Sequence, residues 1–141
     1  MASDHAGVML RQAVAVFLQE QGHIIHDLGP VAGERVDYPD YAGKLADAMR
    51  AVPASKGVLV CGSGIGISIA ANRYPWIRAA LCCDATMARL SRQHNDANVL
   101  ALGERLCGME TAMDIAASFF STGFEGGRHA ARVEKLSILS K

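Results

Sequence analysis

The fold is decided by Gly57-Val58-Leu59-Val60-Cys61-Gly62-Ser63-Gly64-Ile65-Gly66, followed by Ile67-Ser68-Ile69-Ala70-Ala71-Asn72. The first four residues form a short apolar run, which predicts a buried parallel strand. The last six predict a helix. The three glycines between them let the backbone turn tightly and approach a ligand without a Cβ in the way. The stretch therefore predicts a strand, a ligand-binding loop and a helix in direct succession.

Cys61 stands where the predicted strand meets this loop. Free amides at the start of a helix favour negative charge, and such a field favours the thiolate form of a cysteine. Proton abstraction next to a carbonyl needs this pairing of a base with donors for the oxyanion. The alternative is a small buried apolar residue, the commonest role of a free cysteine. The position at the glycine loop favours function.

The glycine loop alone could be an ordinary phosphate cradle. It does not match a dinucleotide-binding fingerprint, because the glycines follow a GxGxG spacing and lie at a later βα turn. It also has no P-loop lysine. The loop therefore predicts an anionic ligand without identifying it.

Strand and helix patterns alternate along the 141 residues. Repeated βα units imply a parallel sheet with helices on both faces. We expect a Rossmann-like three-layer α/β/α sandwich with a five-stranded parallel sheet, formed by residues 1–141 as a single domain. After a first strand that only Met1-Ala2-Ser3 could supply, the predicted strands are 23–28, 57–60, 77–83 and 98–102. The predicted helices cover residues 10–18 (stopped by Gly22), 41–52 (ended by Pro53), 67–72, 87–94, 109–120 and 128–141.

Sheets of this kind bind ligands at the carboxyl ends of their strands. Asp4-His5, Cys61 and the region of Asp84 all fall at such ends, and Arg105 follows the strand at 98–102. The start of the chain is unusual, because so few residues precede Asp4. Either the first strand is very short, or natural residues are missing ahead of Met1.

Composition excludes several classes of protein. Acidic and basic residues are equal, 14 of each, which argues against a nucleic-acid or membrane-surface protein. No apolar run is long enough to span a bilayer, and the start has no basic signal-peptide region. The four cysteines have neither metal-type spacing nor the density of a disulfide scaffold, so reduced thiols in a cytoplasmic protein are expected.

Several other polar residues have both a functional and a structural interpretation. His94 ends a predicted helix, where a histidine can simply complement the helix dipole. Asp4-His5 could be no more than a cap for the first helix. Arg128 and Arg132 are spaced i, i+4 and share a helical face, which suits a phosphate dianion, although a solvated surface pair is the usual outcome.

Five stretches carry a family resemblance that runs nearly end to end and in order. Together they resemble the ribose-5-phosphate isomerase B family, which also contains the galactose-6-phosphate isomerase subunits. The chain departs from the family at its start, where the usual apolar strand, central in this architecture, is absent. The matching stretches are Ser3-Asp4-His5-Ala6-Gly7, Asp37-Tyr38-Pro39, Cys61 to Asn72, Ser91 to Leu100 with Ser91-Arg92-Gln93-His94-Asn95-Asp96 at its start, and Glu125-Gly126-Gly127-Arg128-His129.

The resemblance implies a role for each candidate residue. Cys61 would be the base that moves a proton between C1 and C2 of the sugar, while Ser63 polarises the carbonyl. His94, helped by Asp4, would open the furanose ring. No metal and no organic cofactor would be needed. The enediolate would be held by the amides of Gly62, Gly64, Ile65 and Gly66, and the sugar hydroxyls and phosphate by His5, Asn95, Arg105, Arg128 and Arg132.

The resemblance also implies a substrate and an assembly. We expect isomerisation of ribose 5-phosphate to ribulose 5-phosphate, with the same chemistry on galactose 6-phosphate, allose 6-phosphate or a tetrose phosphate as the alternative. A non-catalytic module that binds a phosphorylated ligand is the alternative from another class. Family members form homodimers with sites shared between subunits, some paired into tetramers. The helix at residues 128–141 would pack on the dimer partner.

Overall fold

The computed structural model describes residues 1–138. The strands are β1 (Ala2–Ser3), β2 (Gly57–Cys61), β3 (Ala79–Leu81) and β4 (Val99–Gly103), all parallel and ordered β1-β2-β4-β3 in one sheet. The helices are α1 (Val8–Glu20), α2 (Tyr38–Ala51), α3 (Ile65–Ala71), α4 (Ala85–Asn95), α5 (Met109–Ser121) and α6 (Ala130–Ile138), and a 3-10 turn (Gly127–His129) precedes α6.

Each face of the sheet has its own apolar core. Successive strand residues point to opposite faces, and in β2 Val58 and Val60 join one core while Leu59 and Cys61 join the other. The first core is completed by α1, α4 and α5, and the second by α2 and α3. The predicted parallel sheet between two helical layers is therefore confirmed.

The prediction of a fifth strand at residues 23–28 is wrong, and within residues 1–138 the sheet has four strands. The segment does run beside β1, where the Leu28 amide donates to the Met1 carbonyl (2.9 Å) and the Ser3 amide donates to the Gly29 carbonyl (3.1 Å). This pairing is short, because β1 has only two residues. The segment also lacks a continuous buried face, since Ile24 is 89% exposed. As a result β1 lies at the end of the four-stranded ladder, not at its centre.

Helices α1 and α2 end close to the glycine and the proline that were predicted to stop them. The backbone after α1 turns at Gly22, which has a φ of +90°, and α2 ends at Ala51 before Pro53. The terminal helix starts later than predicted, because Arg128 lies in the 3-10 turn and α6 begins at Ala130. Its predicted last residues, 139–141, lie outside the described residues. Within residues 1–138, none of the helices is long and apolar enough to cross a membrane.

Candidate active site

Cys61 is the last residue of β2 and is only 4% exposed. The loop that follows folds back over it, so that the Gly64 amide donates a hydrogen bond to the Cys61 Sγ at 3.1 Å. This turn needs glycine, because Gly64 has a φ of +76° and a Cβ there would lie 2.5 Å from Leu81 Cδ1. The Ser63 Oγ accepts the Ile65 amide at 3.2 Å as α3 begins. One backbone amide of the loop is thus aimed at a buried sulfur atom.

A cleft of about 560 Å³ opens above this sulfur, at the carboxyl edge of the sheet. Asp4 follows β1 directly and lines the cleft, and its Oδ1 accepts a hydrogen bond from the Ala6 amide at 2.9 Å. Eight of the predicted site residues line this cleft: Asp4, His5, Cys61, Gly62, Ser63, Ile65, Gly66 and Arg105.

His5 is held in a defined orientation at the exposed rim of the cleft. Its Nδ1 lies 2.9 Å from the Val36 carbonyl oxygen. Because a carbonyl oxygen only accepts hydrogen bonds, Nδ1 carries the proton, which leaves Nε2 for a ligand. The backbone bond to residue 36 therefore turns the imidazole into a positioned polar group.

Arg105 lies directly against the glycine loop. Its amide donates to the Gly62 carbonyl (3.0 Å), and a Cβ at Gly62 would lie 3.2 Å from the guanidinium carbon. The preceding residue, Glu104, donates its amide to the Cys61 carbonyl (2.9 Å) and accepts the Leu10 amide on its Oε2 (2.9 Å). These bonds tie the loop after β4 to β2 and α1, so the guanidinium faces the cleft on a fixed backbone.

Apart from Gly64 in the glycine loop, the other predicted site residues form a second group at the opposite edge of the sheet. α4 begins at the carboxyl end of β3 and ends before the amino end of β4, so His94 and Asn95 lie about 16 Å from the carboxyl edge, the length of a five-residue strand. His94 stacks on His129, with ring centroids 4.4 Å apart and planes 11° from parallel. Arg128 and Arg132 belong to the same terminal segment and are exposed.

Within this second group, His129 is the buried member. Burial is the main cause that lowers the pKa of His129 below its ordinary value, and the neighbouring His94 lowers it further. Its Nε2 lies 3.8 Å from the Glu125 Oε2. Among residues 1–138, one set of side chains has the spacing of metal ligands, and it consists of His94, Glu125 and His129.

Comparison with known proteins identifies the family of the chain. The profile of the family "Ribose/Galactose Isomerase" matches residues 1–136. The chain is 44% identical over 138 residues to ribose-5-phosphate isomerase B of Escherichia coli, covering 98% of this chain and 93% of that protein. The structure of ribose-5-phosphate isomerase B from Clostridium thermocellum superposes with a TM-score of 0.95 at 48% identity, covering 98% of this chain and 93% of that one.

The chain belongs to the ribose/galactose isomerase family. It is a sugar-phosphate isomerase, and the expected enzyme class is confirmed, which removes the non-catalytic binding module as an alternative. Substrate preference varies among its relatives. D-erythrulose-4-phosphate isomerase of Pectobacterium atrosepticum is 39% identical over 137 residues, covering 96% of this chain and 90% of that protein.

Tyr38 is a cleft residue of this isomerase to which the sequence reasoning gave no role. Its ring lies on the glycine loop, since a Cβ at Gly66 would be 2.9 Å from the ring carbon that carries the hydroxyl. The only available signal was its place in the Asp37-Tyr38-Pro39 stretch that resembles the family. The ring therefore forms part of the cleft wall.

The remaining cysteines of the isomerase lie apart from the cleft. Burial raises the pKa of Cys82 to about 11, and burial also raises the pKa of Cys107. Cys83 is exposed. Raised values keep a thiol protonated near neutral pH, as expected for cysteines that serve packing.

Proposed function

We propose that this isomerase interconverts ribose 5-phosphate and ribulose 5-phosphate. The names of the Escherichia coli and Clostridium thermocellum proteins support this substrate. The observation that carries the proposed chemistry is the hydrogen bond from the Gly64 amide to the Cys61 sulfur at the floor of a polar cleft. A buried sulfur with an amide donor aimed at it is suited to hold negative charge, as a base must before it takes a proton.

In the proposed reaction the open-chain aldose places its C2 proton on the Cys61 thiolate. The electron pair of the C2–H bond forms a C1–C2 double bond, and the carbonyl electrons move to O1. The loop amides and the Ser63 hydroxyl donate to this enediolate. A proton passes from the O2 hydroxyl to O1, the C2 carbonyl forms, and the Cys61 thiol returns its proton to C1. The product is the ketose, and the thiolate is regenerated.

Ring opening precedes this step for a furanose substrate. We assign it to His94, assisted by Asp4, because proton transfer between the anomeric hydroxyl and the ring oxygen suits an imidazole. Within one chain these two residues belong to opposite edges of the sheet. The assignment therefore requires a second chain.

We accordingly propose a homodimer in which each site takes the cleft of one subunit and the His94 group of the other. A two-fold axis that brings the carboxyl edge of one sheet to the amino edge of its partner would create two equivalent sites, each combining one cleft with one His94 group. The exposed side of α6 supports this arrangement, since Leu136 is 49% exposed and Arg132 is also exposed. The substrate phosphate would lie against Arg128 and Arg132, and its hydroxyls against His5, Asn95 and Arg105.

The substrate is tested by measuring kcat/KM on four-, five- and six-carbon aldose phosphates with the same enzyme preparation. We expect ribose 5-phosphate to exceed the others. The one alternative with its own support is a tetrose phosphate, because of the Pectobacterium relative. Exchange of solvent deuterium into C2 during turnover tests the enediolate independently of which sugar is preferred. We also propose a cytoplasmic location, which the four unpaired cysteines favour.

A further inference from the structure

The chain after α5 returns to the end of α4 and brings three possible metal ligands together. The Glu125 amide donates to the Gln93 carbonyl at 3.1 Å, and the His129 amide donates to the Gly126 carbonyl at 3.0 Å. The first bond ties the segment before the 3-10 turn to α4, and the second is the hydrogen bond of the turn itself. The nitrogen and oxygen ligand atoms of His94, Glu125 and His129 all lie within 4.8 Å of one another.

We propose that His94, Glu125 and His129 form a binding site for a borderline divalent cation such as Zn²⁺, and that the bound cation inhibits the enzyme. Two imidazoles and one carboxylate are a ligand set that zinc uses in open sites, with a fourth position left for water. Imidazole ligands favour zinc and cobalt over Mg²⁺ and Ca²⁺, which prefer all-oxygen sites. The inferred site is regulatory and supplies no cofactor to the reaction.

The three side chains must move closer together to bind one ion. Ligand atoms around a tetrahedral zinc lie about 3.4 Å apart, given metal–ligand distances of about 2.1 Å. The three side chains must therefore draw together. Two stacked rings cannot both point a nitrogen lone pair at one ion, so one ring has to tilt. His129 is 6% exposed, whereas His94 is only partly buried, so the His94 ring leaves the stack.

Charge around the cluster sets the strength of binding. Arg128 and Arg132 both act electrostatically on His129, and their positive charges oppose a cation. The Glu125 carboxylate, 50% exposed, is the negative charge within the ligand set. Removing that charge without changing the shape of the side chain should therefore have a large effect on the affinity for a cation.

Inhibition follows because metal binding occupies the imidazole to which ring opening is assigned. This part of the inference rests on the proposed function. A cation on His94 blocks the lone pair that exchanges a proton with the sugar, and it moves the ring away from its stacked position. Binding of the cation itself depends only on the geometry of the three side chains.

The test is a titration of the purified enzyme with Co²⁺, followed by visible absorption. We expect one Co²⁺ per chain with the intense bands of a four-coordinate ion, displaced by Zn²⁺. Glu125→Gln should weaken Co²⁺ binding about tenfold or more, since even changes in residues that only support metal ligands cost 10–100-fold. Glu134→Gln removes an exposed carboxylate from α6 and should leave the affinity unchanged.

Two results would overturn the site. A thiolate-to-cobalt charge-transfer band would place the ion on cysteine, and equal affinities for the wild type and Glu125→Gln would exclude the carboxylate. Activity is measured in parallel: Zn²⁺ should inhibit reversibly, and the inhibition should weaken in Glu125→Gln by the same factor as Co²⁺ binding. Binding that depends on Glu125 but leaves activity intact would overturn the inhibitory role and the assignment of ring opening to His94, while the absorption titration would still establish the site.

Discussion

The Gly64 amide donates a hydrogen bond to the Cys61 sulfur at 3.1 Å, and both groups are held by the same tight turn. The relationship explains why the glycine spacing matters. Gly64 can take a φ of +76° and lie against Leu81 and Leu102 only because it has no side chain. In the proposed mechanism, the turn thereby brings a donor to the atom that must hold negative charge during catalysis.

Replacing Cys61 should abolish isomerisation while leaving substrate binding largely intact. General acid–base catalysis contributes about 10²–10⁴-fold, and we expect the loss of kcat in Cys61→Ala to lie at or above the upper end of that range. Cys61→Ser should also be very poor, because a hydroxyl is not ionised near neutral pH. Cys83→Ala, at an exposed cysteine, is the control. A kcat near that of the wild type in Cys61→Ala would show that Cys61 is not the base.

Gly64→Ala should destabilise the protein much more than Gly22→Ala. Both positions have positive φ, but a Cβ at Gly22 meets nothing within 4 Å, whereas at Gly64 it meets Leu81 and the backbone of Leu102. We expect a loss of about 1 kcal/mol at Gly22 from backbone conformation alone, and about 2–4 kcal/mol at Gly64. Urea unfolding measures both. Equal losses would mean that the loop relaxes freely around Leu81.

Alkylation should distinguish the adjacent cysteines. Cys83 is exposed, whereas burial raises the pKa of Cys82 to about 11. Iodoacetamide at pH 8, followed by peptide mass mapping, should modify Cys83 and spare Cys82. The unfolded chain ionises Cys82 near its ordinary value of 9.0, so folding stability should fall as pH rises from about 9 to 11. Rapid labelling of Cys82 in the folded protein would contradict its burial.

The sequence predicted most of the elements, because glycine and proline mark their ends and apolar spacing marks their buried faces. The strand at residues 23–28 was mispredicted because a strand also needs a neighbouring strand to pair with. The neighbour of this segment is β1, which is only two residues long. The carboxyl-edge residues Asp4, Cys61 and Arg105 were placed correctly, since the position of a residue after its strand fixes its edge. The edge of His94 follows from the return of α4 to the amino end of β4, whereas its stacking on His129 depends on the path of the chain after α5, which no local pattern predicts.

Mixing two inactive variants should restore activity if the sites are shared between subunits. Cys61→Ala is defective in the cleft group, and His94→Asn in the group at the opposite edge of the sheet. In a mixed dimer one site carries both defects and the other carries none. Random assortment makes about half of the dimers mixed, so activity should approach roughly a quarter of the wild-type value.

The matched control for this experiment mixes two variants that are defective in the same group. In a mixed dimer of His94→Asn with Arg128→Ala/Arg132→Ala, one site lacks the imidazole and the other lacks the arginines, so no activity should return. The arginine variant mixed with Cys61→Ala should recover like the first pair. Mass spectrometry confirms that mixed dimers form. Mixed dimers of Cys61→Ala and His94→Asn that stay inactive would place both groups in one chain's site and refute the shared-site dimer.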